Sequence, residues 1–325
     1  MLILNVLLLL TGFAALIKGA DFFVDGSAAL ARRFRIPGLV IGLTIVAFGT
    51  SAPELAVSIS AALQKSNEIA LSNVVGSNIF NLLCVLGACA VIHPVPVTAQ
   101  IKKRDFPFSI LATIAVLLMS AASNIFSGQF AQLGMEEQAG TVSRACGALI
   151  MASFLAYTAH LVVSAKKHPE KEETKSNPPS WKCLFLIFFG LALIIGGGQA
   201  VVYSAKEIAL AAGMSETLIG LTIIAVGTSL PELVTSMVAA RKGETGLAVG
   251  NVLGSNIFNL LFILGVSALI HPVNVNLASL CDLLVLIAVS ILAYLFSLSQ
   301  KTLKRWEGIV MLALYAAYVI YAALR

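Results

Sequence analysis

Long apolar stretches, separated by short clusters of glycine, proline and charged residues, run the length of this 325-residue chain. A helix needs roughly 20 residues to cross a hydrocarbon core of about 30 Å, and most of these stretches are that long. They predict an all-α membrane protein with ten transmembrane helices. The predicted spans are 2–30, 38–64, 69–92, 104–123, 143–165, 182–211, 216–240, 246–270, 278–299 and 304–324.

The composition supports this class. Hydrophobic residues make up 58% of the chain and charged residues 11%, whereas a typical soluble domain has about 25% charged residues. This excludes a soluble domain on a single anchor. Residues 1–20 lack a basic segment before their apolar stretch, so we interpret them as the first span and not as a secretory signal. The five cysteines form no CxxC pair, which indicates neither a zinc site nor a disulfide framework.

The basic residues fall mainly on one side of the predicted spans. Sixteen of the 21 lysines and arginines lie in connections that follow odd-numbered spans, and only Lys65, Arg144 and Arg325 lie on the other side. The positive-inside rule then places both termini outside the cytoplasm. The polar segment 166–181 is predicted to be a cytoplasmic linker between two halves of the chain.

The two halves repeat one another at a constant spacing of 178 residues. LTIVAFGTSAPEL at 43–55 matches LTIIAVGTSLPEL at 221–233, and NVVGSNIFNLLCVLG at 73–87 matches NVLGSNIFNLLFILG at 251–265. Five spans per copy is an odd number of crossings, so the second copy, 182–325, is expected to be inverted relative to the first, 1–165. Inverted repeats of this kind place a shared ligand site near the membrane midplane.

Each copy carries one glutamate inside an apolar span, Glu54 in the second span and Glu232 in the seventh. A carboxylate in lipid costs several kcal/mol unless it is paired, so both are candidate functional residues. Helical spacing places two hydroxyls on the same side as each glutamate. These are Thr50 and Ser51 in the first copy and Thr228 and Ser229 in the second.

A proline lies next to each glutamate and is predicted to bend its helix. Pro53 and Pro231 remove a backbone donor, which leaves the carbonyls of Gly49 and Gly227 without their helical partner. Carbonyls exposed in broken helices coordinate cations in membrane transporters.

The companion segments carry polar residues at every fourth position, Asn73, Ser77 and Asn81 in the third span and Asn251, Ser255 and Asn259 in the eighth. Gly76 and Gly254 are expected to let these helices approach the glutamate-bearing helices closely. Carboxylate, hydroxyl, amide and carbonyl oxygens suit hard cations such as Ca²⁺ and Na⁺. The chain lacks HExxH and a nucleophile–base pair at hydrogen-bond spacing, so it is not expected to be an enzyme.

Two copies of GTSxPEL followed by GSNIFN resemble the α-repeats of the sodium/calcium exchangers, in the cation/Ca²⁺ antiporter superfamily, over essentially the whole chain. The resemblance implies exchange of Ca²⁺ for Na⁺ by alternating access, without a cofactor. It also implies that the first and sixth spans slide across a core of spans two, three, seven and eight. Four adjacent cation sites are implied, with Glu54 and Glu232 at their centre.

The resemblance implies further ligands around the two glutamates. These are Thr50, Ser51, Ser77 and Asn81 from the first copy, Thr228, Ser229 and Ser255 from the second, and the carbonyls of Ala47 and Ala225. Whether these carbonyls or those of Gly49 and Gly227 face the ions stays open.

Asn259 departs from part of the family, because some microbial and potassium-dependent members have Asp there. We keep Asn259 among the expected ligands as a neutral donor. The two glutamates then give the site a charge of −2, which one Ca²⁺ or two Na⁺ would balance. The missing Asp argues against K⁺ co-transport and does not separate Na⁺ from H⁺ as the counter-ion.

Two alternatives stay open. A H⁺/Ca²⁺ antiporter usually carries a glutamate within GNxxE in the third and eighth spans, where this chain reads SNVVGSN and GNVLGSN. A cation channel is the alternative from a different class. The expected partners are membrane lipid and the substrates Ca²⁺ and Na⁺, with no nucleic acid. The compact chain suggests a prokaryotic inner membrane, and its oligomeric state is open.

Overall fold

The computed structural model describes residues 2–65, 67–127, 134–135, 137–167, 178–214, 225–299 and 302–324. Within these ranges, eight helices are long and apolar enough to cross a membrane, and a bent helix pair would bring the number to nine. This confirms the helical membrane class. Residues 215–224, which were expected to begin the seventh span, lie outside the described ranges, so ten spans stay a prediction.

The first half, as far as it is described, contains six helices, three of which include a π-helical turn. They are α1 (Leu2–Phe34), α2 (Gly38–Thr50), α3 (Ala52–Leu63), α4 (Asn67–Phe80 continued by Asn81–Val85 and Leu86–Ile92), α5 (Ile101–Asp105 continued by Phe106–Ser127) and α6 (Arg144–Lys167). The predicted second span, 38–64, is therefore two helices, α2 and α3. The first span continues four residues past its predicted end because Arg32 and Arg33 suit the negative end of the helix dipole.

The described part of the second half also contains six helices. They are α7 (Ser180–Ala211), α8 (Ala225–Gly227), α9 (Leu230–Arg241), α10 (Thr245–Ile257 continued by Phe258–Ile263 and Leu264–Ile270), α11 (Leu277–Ser299) and α12 (Arg305–Leu324). The predicted sixth span corresponds to α7 and the eighth to α10. Of the predicted linker 166–181, residues 168–177 lie outside the described ranges.

Helices α1 and α7 pack antiparallel along a line of small residues spaced by seven. Gly12, Gly19 and Gly26 of α1 face Gly197, Gly190 and Cys183 of α7. A Cβ added at Gly19 would lie 2.7 Å from the carbonyl oxygen of Gly190 and 2.8 Å from the amide nitrogen of Ile194. The two backbones are thus in direct contact, as small residues permit between membrane helices.

Helix α10 lies equally close to α2. A Cβ added at Gly254 would lie 2.7 Å from Leu43 Cα and 2.8 Å from Ala47 Cβ, which agrees with the close approach expected at this glycine. At Gly76, the corresponding position of α4, no described atom lies within 4 Å of an added Cβ. The approach expected there is not found among the described residues.

Two short antiparallel ribbons join connections of the two halves. Val95–Pro96 (β1) pairs with Thr302–Leu303 (β4), and Gln138–Val142 (β2) pairs with Val273–Asn276 (β3). The hydrophobic pattern does not predict these strands. Two to five residues are too short to show an alternating pattern, and each pairing joins segments far apart in the chain.

Candidate cation site

Both proline-containing segments break their helices, at corresponding residues. The first break lies at Ser51, with φ −83° and ψ 12°, and α2 and α3 meet there at 51°. The second lies at Ser229, with φ −94° and ψ 7°. Pro53 and Pro231 occupy the first turn of α3 and α9, where a missing N–H costs no helical hydrogen bond.

The same breaks place both glutamates at helix N-termini. Glu54 lies in the first turn of α3 and Glu232 in the first turn of α9. The positive end of each helix dipole therefore favours an ionised carboxylate at these positions. Both residues are completely buried.

Each glutamate is held by a hydroxyl of the other copy. Ser229 Oγ donates to Glu54 Oε1 at 2.8 Å, and Ser51 Oγ donates to Glu232 Oε1 at 2.7 Å. These residues lie 175 and 181 positions apart in the chain. The two helix breaks therefore meet in one cluster.

The serines of the companion helices complete this contact. Ser77 Oγ of α4 lies 3.5 Å from Glu54 Oε1, and Ser255 Oγ of α10 lies 3.4 Å from Glu232 Oε1. Ser77 Oγ also lies 3.1 Å from Ser229 Oγ. All six of these side chains are buried, with Ser77 4% exposed and the others fully enclosed.

Asn73 and Asn251 join each companion helix to its glutamate-bearing helix. Asn73 Nδ2 donates to Ser58 Oγ at 3.1 Å and to the Glu54 carbonyl at 3.3 Å. Asn251 Nδ2 donates likewise to Ser236 Oγ at 2.9 Å and to the Glu232 carbonyl at 3.4 Å. Both amide groups thereby fix the position of the glutamate backbone.

The remaining predicted ligands differ in whether they have hydrogen-bond partners among the described residues. The Thr50 hydroxyl donates to Asn251 Oδ1 at 3.0 Å, and the Ala47 carbonyl accepts the Ser51 N–H at 3.0 Å. Thr228 Oγ1 is buried and has no partner among the described residues. Ala225 is the first residue after the undescribed segment 215–224, and no described contact links it to the glutamates.

Several buried oxygens of the cluster take part in no hydrogen bond within the described ranges. Besides Thr228 Oγ1 these are Glu54 Oε2, Glu232 Oε2, Asn81 Oδ1 and Asn259 Oδ1, two matching pairs from the two copies. An unsatisfied buried acceptor costs about 1–3 kcal/mol, and more when it is charged. Oxygens of this kind are the ligands that hard cations take.

Two buried asparagines were missed as individual candidates in the sequence. Asn78 and Asn256, the asparagines of GSN, lie between α4 and α10 and bond to Asn81 and Asn259 across the two copies. Their repetition at the spacing of 178 is the signal that could have singled them out.

A cavity of about 410 Å³ reaches the cluster from one side. Its walls include Thr228, Pro53 and Pro231 from the helix breaks, and Tyr203 and Lys206 from the C-terminal half of α7. It extends from that end of α7 to Thr228, whose hydroxyl oxygen is itself buried behind the cavity wall.

The helical membrane fold with two buried acids at its centre defines a polytopic membrane protein with an internal polar site. Comparison with known proteins identifies its family, since the sodium/calcium exchanger protein family matches residues 4–163 and 182–324. The putative antiporter CaxA of Alkalimonas amylolytica is 38% identical, over 95% of each chain. The sodium/calcium exchanger MaX1 of Methanosarcina acetivorans is 33% identical, over 98% of this chain and 99% of its own.

A solved structure is similar over the same extent. The sodium-calcium exchanger NCX_Mj superposes with a TM-score of 0.82 at 33% identity, covering 98% of this chain and 99% of that one. The protein therefore belongs to the sodium/calcium exchanger family and is a multi-pass integral membrane protein.

Proposed function

We propose that this protein exchanges Ca²⁺ for Na⁺ by secondary antiport at a site centred on Glu54 and Glu232. The observation that carries the proposal is the pair of fully buried carboxylates, each hydrogen-bonded at one oxygen and without a partner among the described residues at the other. The described part of the chain places no basic side chain in hydrogen-bond contact with either. One Ca²⁺ or two Na⁺ would neutralise the pair.

The proposed ligands are the twelve residues expected from the sequence. They are Ala47, Thr50, Ser51, Glu54, Ser77 and Asn81 of the first copy, and Ala225, Thr228, Ser229, Glu232, Ser255 and Asn259 of the second. A serine hydroxyl carries one donor and two acceptor lone pairs. Ser51 and Ser229 can therefore donate to a carboxylate and turn a lone pair towards a cation.

The proposed architecture is ten transmembrane helices in two inverted five-helix repeats, 1–165 and 182–325, joined by a cytoplasmic linker at 166–181. The reciprocal bonds from Ser51 to Glu232 and from Ser229 to Glu54 support a two-fold relation between the copies. The distribution of basic residues supports placing both termini outside the cytoplasm of a prokaryotic cell, with the protein in its inner membrane.

Alternating access is supported by a difference between the two copies. Thr50 is bonded to Asn251, whereas Thr228 lacks a described partner and borders the cavity. The cavity lies towards the end of α7 that the basic-residue pattern assigns to the outside, and it stops short of the buried hydroxyl of Thr228. We propose that α1 and α7, joined by their glycines, slide as one unit over the core of α2–α4 and α8–α10. Bound cations permit this movement, because they neutralise two charges that would otherwise cross a low-dielectric region.

The first experiment measures Na⁺-gradient-driven ⁴⁵Ca²⁺ uptake into vesicles that contain the purified protein. Glu54→Gln and Glu232→Gln should each abolish uptake, because each removes one of the two negative charges that the bound cations neutralise. Glu307→Gln is the matched control, since Glu307 is also buried but bonds the Lys304 N–H at the start of α12. If either site variant retains uptake, the proposed site is wrong.

A second experiment identifies the counter-ion and the mode of transport. Ca²⁺ uptake is measured with Na⁺, K⁺ or H⁺ gradients applied separately, and we expect Na⁺ alone to drive it. Uptake driven by H⁺ would instead favour a H⁺/Ca²⁺ antiporter. A channel would equilibrate Ca²⁺, whereas an exchanger accumulates it against its own gradient when Na⁺ is applied from the opposite side.

A further inference from the structure

Four buried asparagines form a reciprocal hydrogen-bonded cluster where α4 meets α10. Asn78 Nδ2 donates to the backbone carbonyl of Asn256 at 3.1 Å, and Asn256 Nδ2 donates to the backbone carbonyl of Asn78 at 3.2 Å. A carbonyl oxygen can only accept a hydrogen bond. The amide groups of Asn78 and Asn256 therefore have one possible orientation each, with nitrogen towards the backbone.

This first pair determines the orientation of the second pair. With its nitrogen engaged, Asn256 presents Oδ1, which accepts from Asn81 Nδ2 at 3.1 Å. Asn78 Oδ1 accepts likewise from Asn259 Nδ2 at 3.1 Å. Because each of these partners is an acceptor, the side chains of Asn81 and Asn259 must turn their nitrogens towards it. Their oxygens, Oδ1, are left on the opposite branch and bond to nothing within the described ranges.

We propose that Asn78 and Asn256 are positioning residues, which contact no ion themselves but orient the amides of Asn81 and Asn259 so that oxygen faces the transported cations. The inference rests on the function proposed above. It assigns each positioning residue to a ligand on the other copy, Asn256 to Asn81 and Asn78 to Asn259.

The orientation matters because the side chains of Asn81 and Asn259 are neutral amides, which carry oxygen on one branch and nitrogen on the other. A carboxylate has oxygen on both branches and presents a ligand whichever way it turns. An amide turned the other way points two N–H donors at the cation, so one ligand is lost and a repulsive group replaces it. Groups that orient metal ligands through hydrogen bonds typically contribute about 10- to 100-fold to affinity or activity.

The test compares the KM for Ca²⁺ in Na⁺-driven uptake between single and double variants. Asn256→Ala should raise the KM about 10-fold or more. The same substitution in an Asn81→Asp background should raise it less than about twofold relative to that background, because aspartate has no nitrogen to misplace. Asn78→Ala should likewise raise the KM about 10-fold or more alone, and less than about twofold in an Asn259→Asp background.

The crossed combinations separate orientation from simple packing. In these combinations the full rise in KM should remain. They are Asn256→Ala with Asn259→Asp, and Asn78→Ala with Asn81→Asp. If every background shows the same rise in KM, the asparagines only hold α4 against α10 and the proposal is wrong. An unchanged KM in both alanine variants would overturn it as well, provided that the wild-type protein transports. If the wild-type protein shows no Na⁺-driven uptake, the proposed function itself fails.

Folding is monitored by thermal unfolding of the detergent-solubilised protein. Ser290→Ala is the control, because it removes a different kind of buried polar group, a hydroxyl bonded to the Leu286 carbonyl in α11, far from the cluster in the sequence. If Asn256→Ala does not fold, Asn256→Ser serves as a second variant, and the same crossed pattern of relief is required of it.

Discussion

The contact between α10 and α2 makes Gly254 a sensitive position. A Cβ there would lie 2.7 Å from Leu43 Cα and 2.8 Å from Ala47 Cβ, whereas carbon atoms in contact prefer about 3.5–4.0 Å. Neither atom is the end of a flexible side chain, so Gly254→Ala requires the helices to separate by about 1 Å. Overpacking of this kind costs about 1–3 kcal/mol. The same movement would lengthen the 3.0 Å hydrogen bond from Thr50 to Asn251 beyond bonding distance.

We therefore expect Gly254→Ala to unfold at a lower temperature in detergent and to raise the KM for Ca²⁺ by about 10- to 100-fold, because displacements of about 1 Å have effects of that size. Gly196→Ala is the control, since no described atom lies within 4 Å of a Cβ added there. Alanine in a helix is favoured over glycine by about 0.5–1 kcal/mol, so the control should be as stable as the wild type or slightly more so. If both variants unfold and transport alike, the packing argument is refuted.

Three further perturbations have defined outcomes. Gly190→Ala would place a Cβ 2.6 Å from the Phe23 amide nitrogen, so it should loosen α1 from α7 and lower the thermal midpoint at a cost of about 1–3 kcal/mol. Tyr157→Phe removes the hydroxyl that donates to the buried carboxylate of Asp105 at 2.9 Å, and denaturant titration should report a loss of about 1–3 kcal/mol. Lys206→Gln removes a positive charge from the cavity wall, so initial Ca²⁺ entry from that side should rise about two- to fivefold at low salt. An equal rise at high salt, where surface charges are screened, would contradict the electrostatic explanation.

The hydrophobic pattern located most spans well but could not locate where helices break. The span expected at 38–64 becomes two helices meeting at 51°, although Pro53 had indicated a bend. Proline marks the place because it lacks a donor, but the angle depends on what packs against each segment. The π-helical turn Asn81–Val85 left no mark in the apolar periodicity, since one extra residue in a turn barely changes an almost uniformly apolar face.

The candidate ligands could be listed from the repeat, but their contacts could not. Glu54, Ser51 and Ser77 share a copy, and spacing alone suggests that they bond among themselves. Instead the shorter hydrogen bond of each glutamate comes from a serine of the other copy, because the two helix breaks face each other. Contacts between residues of different copies leave no trace in local spacing.

The sequence by itself determined that this is a helical membrane protein with two copies of one unit and one intramembrane carboxylate in each. These properties follow from hydrophobicity, self-similarity and the cost of charge in lipid, none of which depends on how the helices pack together. Only the tertiary structure decided which oxygens of the central cluster are engaged and which are not. The amides of Asn81 and Asn259 show why, since their orientation is set by Asn256 and Asn78 on the opposite copy, through bonds that exist only when α4 and α10 are packed together.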